Sequence, residues 1–300
     1  MLLFQKVEEV AHQYSDARRV IGEFLLAEKD RLEECSMQEI ADRTFTSKSS
    51  LVRFAKTVGY TGWKPFIKDF LAESHYEAAH YSDIDPNFPF AEGEGLRDIV
   101  YKLCNLQVES LLDTADQMDI KQLERAVDLL CGARQIAVLG QPPNSYVANL
   151  FKRKMLSIGR PILLYEGGDL GLLAHSLGAQ DCAILISYTG NNEKRIPLNM
   201  IPLLKEHAVP ILAITGLGDN LLRQQADCVL SMSSRERIYS KISTFATEES
   251  IGYILNVLFA GCFARNYQAN LQYKIDASKL TEKRFSSYSD IREEKSSIDT

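Results

Sequence analysis

Two short runs of this 300-residue chain gather side chains of the kind that hold small anions. One reads SYTGNNE, from Ser187 to Glu193, and comes straight after the apolar run DCAILI. The other, LGQPPNSYVA, puts Asn144 and Ser145 at the start of a helical pattern. A helix N-terminus offers unpaired N–H donors and a positive dipole end, and short hydroxyls add donors at close range. A glycine lets the backbone approach a ligand or take a positive φ. The expected ligand-binding residues are therefore Asn144, Ser145, Ser187, Thr189, Gly190, Asn191 and Asn192, with a helix expected to open at EKRIP behind the second run. A plain turn is the competing reading of any such loop.

A third stretch has different chemistry. From Arg43 to Lys68 there are six basic residues (Arg43, Lys48, Arg53, Lys56, Lys64, Lys68) and no acidic one. The chain as a whole carries a net charge of −6, which by itself argues against a nucleic-acid partner. Local charge, not the total, makes a phosphate-binding surface. Within the basic stretch, KSSLVRFAKTVGY places Leu51, Phe54, Ala55 and Val58 at helical spacing, and Ser49, Arg53 and Lys56 fall on the opposite face. A slim, polar, basic helix face of this kind fits the major groove and can meet base edges and phosphates. Ser47, Lys48, Ser49, Ser50, Arg53 and Lys56 are the expected DNA contacts, with Tyr60, Trp63 and Phe66 expected in the core.

Other chemistries find little support. The six cysteines show no C-x-x-C spacing and the five histidines no H-x-x-x-H spacing, so no metal site and no cofactor is expected. The cysteines read as reduced core thiols. Proton transfer between adjacent carbons of a substrate would need a base. Glu193, Glu248, Glu249 and His175 are the residues near the loops that could supply one, and they form no recognisable acid–base set.

The elements that must position these groups fall into two blocks. The first eighty residues read as helices only. DARRVIGEFLLAE sets Val20, Ile21, Phe24 and Leu25 on one face, and SMQEIADRT opens with a capping-box pair, Ser36 and Glu39. The short gap TFTS leads to the basic helix, which Gly59 ends. YSDIDPNFPFAEGEG, rich in proline, glycine and acids, reads as a linker at about 81–95. Beyond it, helices at about 96–116 and 119–132 precede five apolar strands (QIAVLG, PILLYE, CAILISY, PILAIT, CVLSMS) that alternate with helical segments. That is the pattern of a parallel sheet covered on both faces. A helix from about Thr247 to Gln268 closes the domain, and the segment after Lys279 is polar.

A hydrophobic fraction of 45% and a charged fraction of 25% are those of a globular chain. The longest apolar runs fall far short of the roughly 20 residues that span a bilayer. The N-terminal MLLFQKVEEVAHQY lacks the basic start and long apolar middle of a signal peptide, so the cytoplasm is the expected location.

SMQEIADRTFTSKSSLVRFAKTVGYTGWKPFIKDF resembles the N-terminal domain of the RpiR (MurR/RpiR) family of bacterial transcription regulators. The resemblance rests on the order Ile40-Ala41, a serine-rich turn, Val52, Arg53-Phe54, Lys56, Gly59-Tyr60, Gly62-Trp63, Phe66 and Lys68. It implies that the serine-rich helix reads DNA and that a SIS (sugar isomerase) domain follows. ISYTGNNE is similar to the SIS pattern I-S-x-S-G-x-T, with Thr189 for the second serine and Asn192 for the threonine. GQPPNS departs from the G-x-G-x-S of many SIS domains, since Pro142 and Pro143 donate no N–H. TEESIGYIL carries Glu248 where the family often has arginine.

The resemblance implies an all-α helix-turn-helix domain (1–80), the linker (81–95), an α/β SIS domain with a five-stranded parallel sheet (96–280) and a polar tail (281–300). It implies an operator-binding regulator that senses a phosphorylated sugar or amino sugar, as a homodimer or dimer of dimers, without catalysis. A sugar-phosphate isomerase with an accessory head, and a regulator whose ligand site has degenerated into a dimerisation scaffold, stay open as alternatives.

Overall fold

The computed structural model describes residues 3–80, 84–164 and 169–281. The expected polar tail after 281 and part of the linker lie outside them. The N-terminal block contains α1 (Leu3–Gln13), α2 (Ala17–Ala27), a 3-10 helix (Lys29–Glu34), α3 (Met37–Arg43), α4 (Lys48–Thr57) and α5 (Trp63–His80). Local signals set several of these boundaries. Asp16 accepts from the Arg18 amide at 2.9 Å to cap α2. Ser36 and Glu39 form the expected reciprocal box on α3, at 3.2 and 2.7 Å. Gly59 takes φ +103° past the end of α4.

The head core gathers Val7, Ile21, Leu25, Leu32, Ile40, Leu51, Phe54 and Phe70 around Phe66. Phe66 meets Phe54, Tyr60, Trp63 and Phe70 with ring centroids 5.3–5.8 Å apart, so the expected core aromatics do pack together. One expectation fails on α2. Ile21 and Leu25 are buried, but Val20 is 44% exposed and Phe24 only half-buried. Gly22 joins the buried face instead, because α1 crosses so closely that a Cβ there would lie 2.9 Å from the Ala11 Cβ.

The second block begins with α6 (Leu96–Asp116) and α7 (Ile120–Gly132), then alternates strand and helix. The strands are β1 (Ile136–Gly140), β2 (Ile162–Leu164), β3 (Cys182–Ser187), β4 (Ile211–Gly216) and β5 (Cys228–Met232). The helices between and after them are α8 (Asn144–Leu156), α9 (Leu170–Ser176), α10 (Ile201–Glu206), α11 (Leu221–Gln225), α12 (Phe245–Arg265) and α13 (Tyr267–Thr281). All pairings are parallel, in the order β2-β1-β3-β4-β5. Period-two alternation sorts the side chains. Ile136, Val138, Ile184, Ile186, Leu212 and Ile214 face α7, α8 and α12. Ala137, Leu139, Ala183, Leu185, Ile211 and Ala213 face α9, α10 and α11. Among the described residues no helix is long and apolar enough to cross a membrane.

Three sequence expectations are corrected here. The helix expected from EKRIP does not start there. Residues 191–197 form turns, a 3-10 turn covers Leu198–Met200, and α10 begins at Ile201. Pro197 supplies no N–H to a helical ladder and disfavours helical backbone at Ile196. The closing helix ends at Arg265, and α13 follows as a separate element. Of the six thiols, Cys182, Cys228 and Cys262 are core residues, whereas Cys104 is exposed on α6 and Cys35 and Cys131 are half-buried. Burial pushes the Cys182 and Cys228 thiols up to about 12 and about 11, which removes them from thiolate chemistry.

Candidate functional site

The head presents one built surface. Ser47 caps α4 by accepting from the Ser50 amide at 3.2 Å. Its hydroxyl also lies 3.2 Å from Ser49 Oγ and 3.0 Å from Ser50 Oγ. Arg53 donates from Nη2 to Ser50 Oγ at 3.2 Å, one turn along. Lys48, Ser49, Arg53 and Lys56 are exposed, while Leu51, Phe54 and Ala55 are fully buried on the other side. The six predicted DNA contacts therefore share one end and one face of a single helix. Among the described residues neither Lys48 nor Lys56 is engaged by an acid. Short hydroxyls, a guanidinium and two free ammonium groups are the donors a base edge and a phosphate require.

The second site is at the C-terminal edge of the sheet. The strand order reverses direction between β1 and β3, so the crevice of an open α/β sheet opens there. Gly140 pairs with Ile186, which brings the loops after β1 and β3 out side by side. The two predicted runs thus meet at the switch point. At the first, Ser145 N donates to Gln141 O at 3.3 Å, and the amides of Tyr146 and Val147 turn to Pro143 O at 2.9 and 3.4 Å. These opening N–H groups of α8 serve the chain's own carbonyls. Asn144 and Ser145 are half-buried.

The loop after β3 is stitched to its neighbours. Ser187 Oγ accepts from the Gly190 amide at 3.3 Å. Gly190 takes φ +63°, and its carbonyl accepts from Leu222 N at 2.9 Å. A Cβ at Gly190 would overlap Asn220 Oδ1 and lie 2.8 Å from Thr215 Oγ1. Asn191 Oδ1 accepts from Leu221 N at 3.0 Å, capping α11 together with Asn220. Asn192 Oδ1 accepts from Lys194 N at 3.2 Å. Instead of preceding a helix, this loop leans on one.

A cavity of about 770 Å³ opens on the β4–β5 side of the same loop. Thr189 and Asn191 line it; the other five predicted ligand residues do not. Tyr188, Asn220 and Arg237 complete much of its wall, and Glu8, Glu9 and His12 of α1 form its roof. Burial raises the Glu9 carboxyl above its ordinary range. The volume is within the usual range of about 300–1,000 Å³ for small-molecule sites.

Residues 233–244, between β5 and α12, tie this rim together. Tyr188 donates its hydroxyl to the carbonyls of Ser234 and Glu236, at 3.2 and 3.0 Å. The Glu236 carboxylate, fully buried, accepts from the amides of Ala246 (2.6 Å) and Thr247 (3.3 Å), from Thr247 Oγ1 (2.7 Å) and from Lys241 Nζ (3.2 Å). It is an internal anion at the N-terminus of α12. Arg237 pairs with Glu8 of the head at 3.2 Å, and its amide donates to Asn87 Oδ1 at 2.6 Å. The strap thus touches the loop, the head and the segment joining the two blocks. Sequence reading missed Tyr188, Asn220, Glu236 and Arg237. The signal available was position, since each lies in a loop leaving the C-terminal end of a strand.

Known proteins resemble the chain in both halves. Residues 1–75 match the helix-turn-helix domain of the rpiR family, and residues 129–251 match the SIS domain. A Bacillus subtilis protein, the HTH-type transcriptional regulator YbbH, is 24% identical over 273 residues, covering 89% of this chain and 92% of that one. An HTH-type transcriptional regulator of Thermotoga maritima is 27% identical over 278 residues, covering 90% and 94%. Among solved structures, the Vibrio vulnificus NanR protein complexed with ManNAc-6P superposes with a TM-score of 0.57 at 19% identity, covering 93% and 97%. That likeness extends the shared fold across head and sheet together. Among the described residues no group of three or more metal-ligating side chains comes together.

Proposed function

We propose, for a chain that belongs to the RpiR family of helix-turn-helix transcriptional regulators with a SIS domain, that α4 binds operator DNA and that the sheet rim binds a phosphorylated sugar or amino sugar which changes that binding. The observation that carries the DNA half is the α4 face itself. Its polar side chains lie outside the head core, and its basic groups face solvent. The NanR neighbour was solved with a sugar phosphate, which supports the same ligand class here. Ser187, Thr189, Asn191 and Asn192 are the proposed ligand contacts after β3, with Asn144, Ser145 and Gly190 shaping the crevice. Thr189 and Asn191 link that crevice to the cavity under α1.

The strap supplies a route from ligand to head. A sugar phosphate that displaces Tyr188 or the Arg237–Glu8 pair favours one head orientation over another, and only such a differential contact shifts DNA affinity. We read the domain as non-catalytic. Glu249 is held by Gln107 at 3.0 Å, Glu248 is bonded to Thr244, His175 packs against His207 with the rings tilted at 58°, and Glu193 is exposed in a turn. Each of these four has a separate setting, so among the described residues they form no acid–base pair.

A homodimer is part of the proposal. On α6, Leu96, Val100, Cys104, Val108 and Leu112 recur every four residues and are exposed, in a stripe that winds about 160° around the helix from end to end. A 21-residue helix with such a stripe is suited to pairing with its own copy, which would set two heads against two half-sites. The working location is the cytoplasm, where the DNA is. Gel-shift titration of a bound operator with a panel of sugar phosphates tests the sensor. One of them should shift operator affinity several-fold, and no shift with any, together with no thermal stabilisation, would count against it.

A further inference from the structure

The turn between α3 and α4 carries a side chain that the fold does not use. Phe45 is 96% exposed and sits at φ +52°, in the left-handed region that favours glycine or asparagine. The left-handed backbone closes the turn after α3, a place glycine usually fills, but the phenyl is not needed for it. Thr44, buried, holds it from inside, donating to Ile40 O at 2.7 Å and meeting Thr46 Oγ1 at 2.9 Å. Backbone bonds from Phe45 N to Asp42 O (3.1 Å) and from Thr46 N to Ala41 O (2.8 Å) complete it. The aromatic cluster around Phe66 closes without Phe45. A glycine here would remove both the backbone strain and the exposed phenyl, so the chain holds an unfavourable residue twice over.

Its neighbours point to what it meets. Phe45 is two residues before Ser47, the cap of α4, so it leads into the hydroxyl-lined end of that helix along the chain. From Arg43 to Lys68 this surface has no acid. In a major groove the apolar feature on offer is the 5-methyl group of thymine. We propose that Phe45 is a specificity-determining residue of the head, placing its ring against a thymine methyl beside the bases that face the first turn of α4. The inference rests on the DNA-binding reading of α4.

The test uses the full chain. A duplex is selected by the wild-type protein from a random pool. Affinity is then measured by fluorescence anisotropy for wild type, Phe45→Gly, Phe45→Leu and Arg53→Ala, on that duplex and on copies with deoxyuridine for single thymidines. Phe45→Gly should bind about 5- to 20-fold more weakly, the range of one lost base contact. Its melting temperature should not fall, because the substitution relieves strain. One deoxyuridine position should weaken wild type by a similar factor and add nothing to Phe45→Gly, with Phe45→Leu between the two. Phe45→Gly binding within twofold of wild type would overturn the proposal. So would a drop in its melting temperature, which would give the ring a role in the fold, or a loss indifferent to every deoxyuridine, which would give it a sugar face instead of a base. If Arg53→Ala also leaves affinity unchanged, the failure belongs to the DNA reading of α4 and not to Phe45.

Discussion

The face of α4 and the rim loop after β3 are built from the same kinds of residue and use them in opposite ways. Both are runs of serine, threonine or asparagine beside an apolar core. On α4, Lys48, Ser49, Arg53 and Lys56 point to solvent, and only Ser47 has a clear fold duty, as a cap. On the rim, Ser187, Gly190, Asn191 and Asn192 each hold or receive an internal hydrogen bond, and Tyr188 is bonded to two strap carbonyls. A polar residue bonded only to other surface side chains is free to read a ligand at little structural cost. A polar residue that already caps a helix can respond to a ligand only by giving something up, which is the property a sensor needs. Substitutions should therefore separate the regions: the rim loses stability first, and the α4 face loses binding first.

The largest effect is expected at the strap. Glu236→Ala removes the anion that four donors share and leaves the Ala246 and Thr247 amides at the start of a buried helix without an acceptor. Breaking a buried, hydrogen-bonded charge of this kind costs about 3–5 kcal/mol. Urea unfolding of the full chain should show it as a lower midpoint, with Glu236→Gln intermediate. Gly190→Ala comes next. The new methyl meets Asn220 and Thr215 at a positive φ, an expected loss of about 2–3 kcal/mol by the same measurement. A Gly190→Ala protein of normal stability but altered effector response would break the comparison, since the glycine would then serve the ligand alone.

How much could be read beforehand follows from the range of the interactions. The head was legible because its signals are local: a capping box spans three residues, and the amphipathic spacing of α4 spans seven. The strands were legible because burial on both faces leaves continuous apolar runs, as in Cys182–Ile186. The rim was not. Asn191 finds Leu221 thirty residues away, Tyr188 finds Glu236 forty-eight away and Asn87 finds Arg237 one hundred and fifty away. No period or cap motif encodes such pairings. Pro197 was a local signal, and it outweighed the apolar spacing that suggested a helix from Glu193.

On the head the expected sign reverses. Arg53→Ala should leave the unfolding midpoint where it is, because the guanidinium is exposed and its bond is to a surface hydroxyl. Operator affinity should fall by about 2 kcal/mol, roughly 30-fold, if the fork contacts a base edge. A uniform loss across sequences, with a shallower salt dependence, would move Arg53 from base reading to phosphate contact. Loss of stability in place of affinity would put α4 in the same class as the rim.

The smallest effect is the most discriminating. Asn191 is exposed, lines the cavity, and still accepts from Leu221 N at the start of α11. Asn191→Ala removes the acceptor and should cost about 1 kcal/mol, as lost caps do. Asn191→Asp keeps an acceptor in the same place and adds a negative charge at a helix N-terminus, which favours it. Aspartate should therefore restore the unfolding midpoint that alanine lowers. It should not restore the response to a phosphorylated sugar, because a carboxylate repels the phosphate it would have to share donors with. Unfolding midpoints and effector titrations on these two variants separate the capping duty of one side chain from its binding duty. If aspartate restores both, Asn191 belongs to the fold, and the ligand is held by Thr189 and the residues on the other side of the crevice.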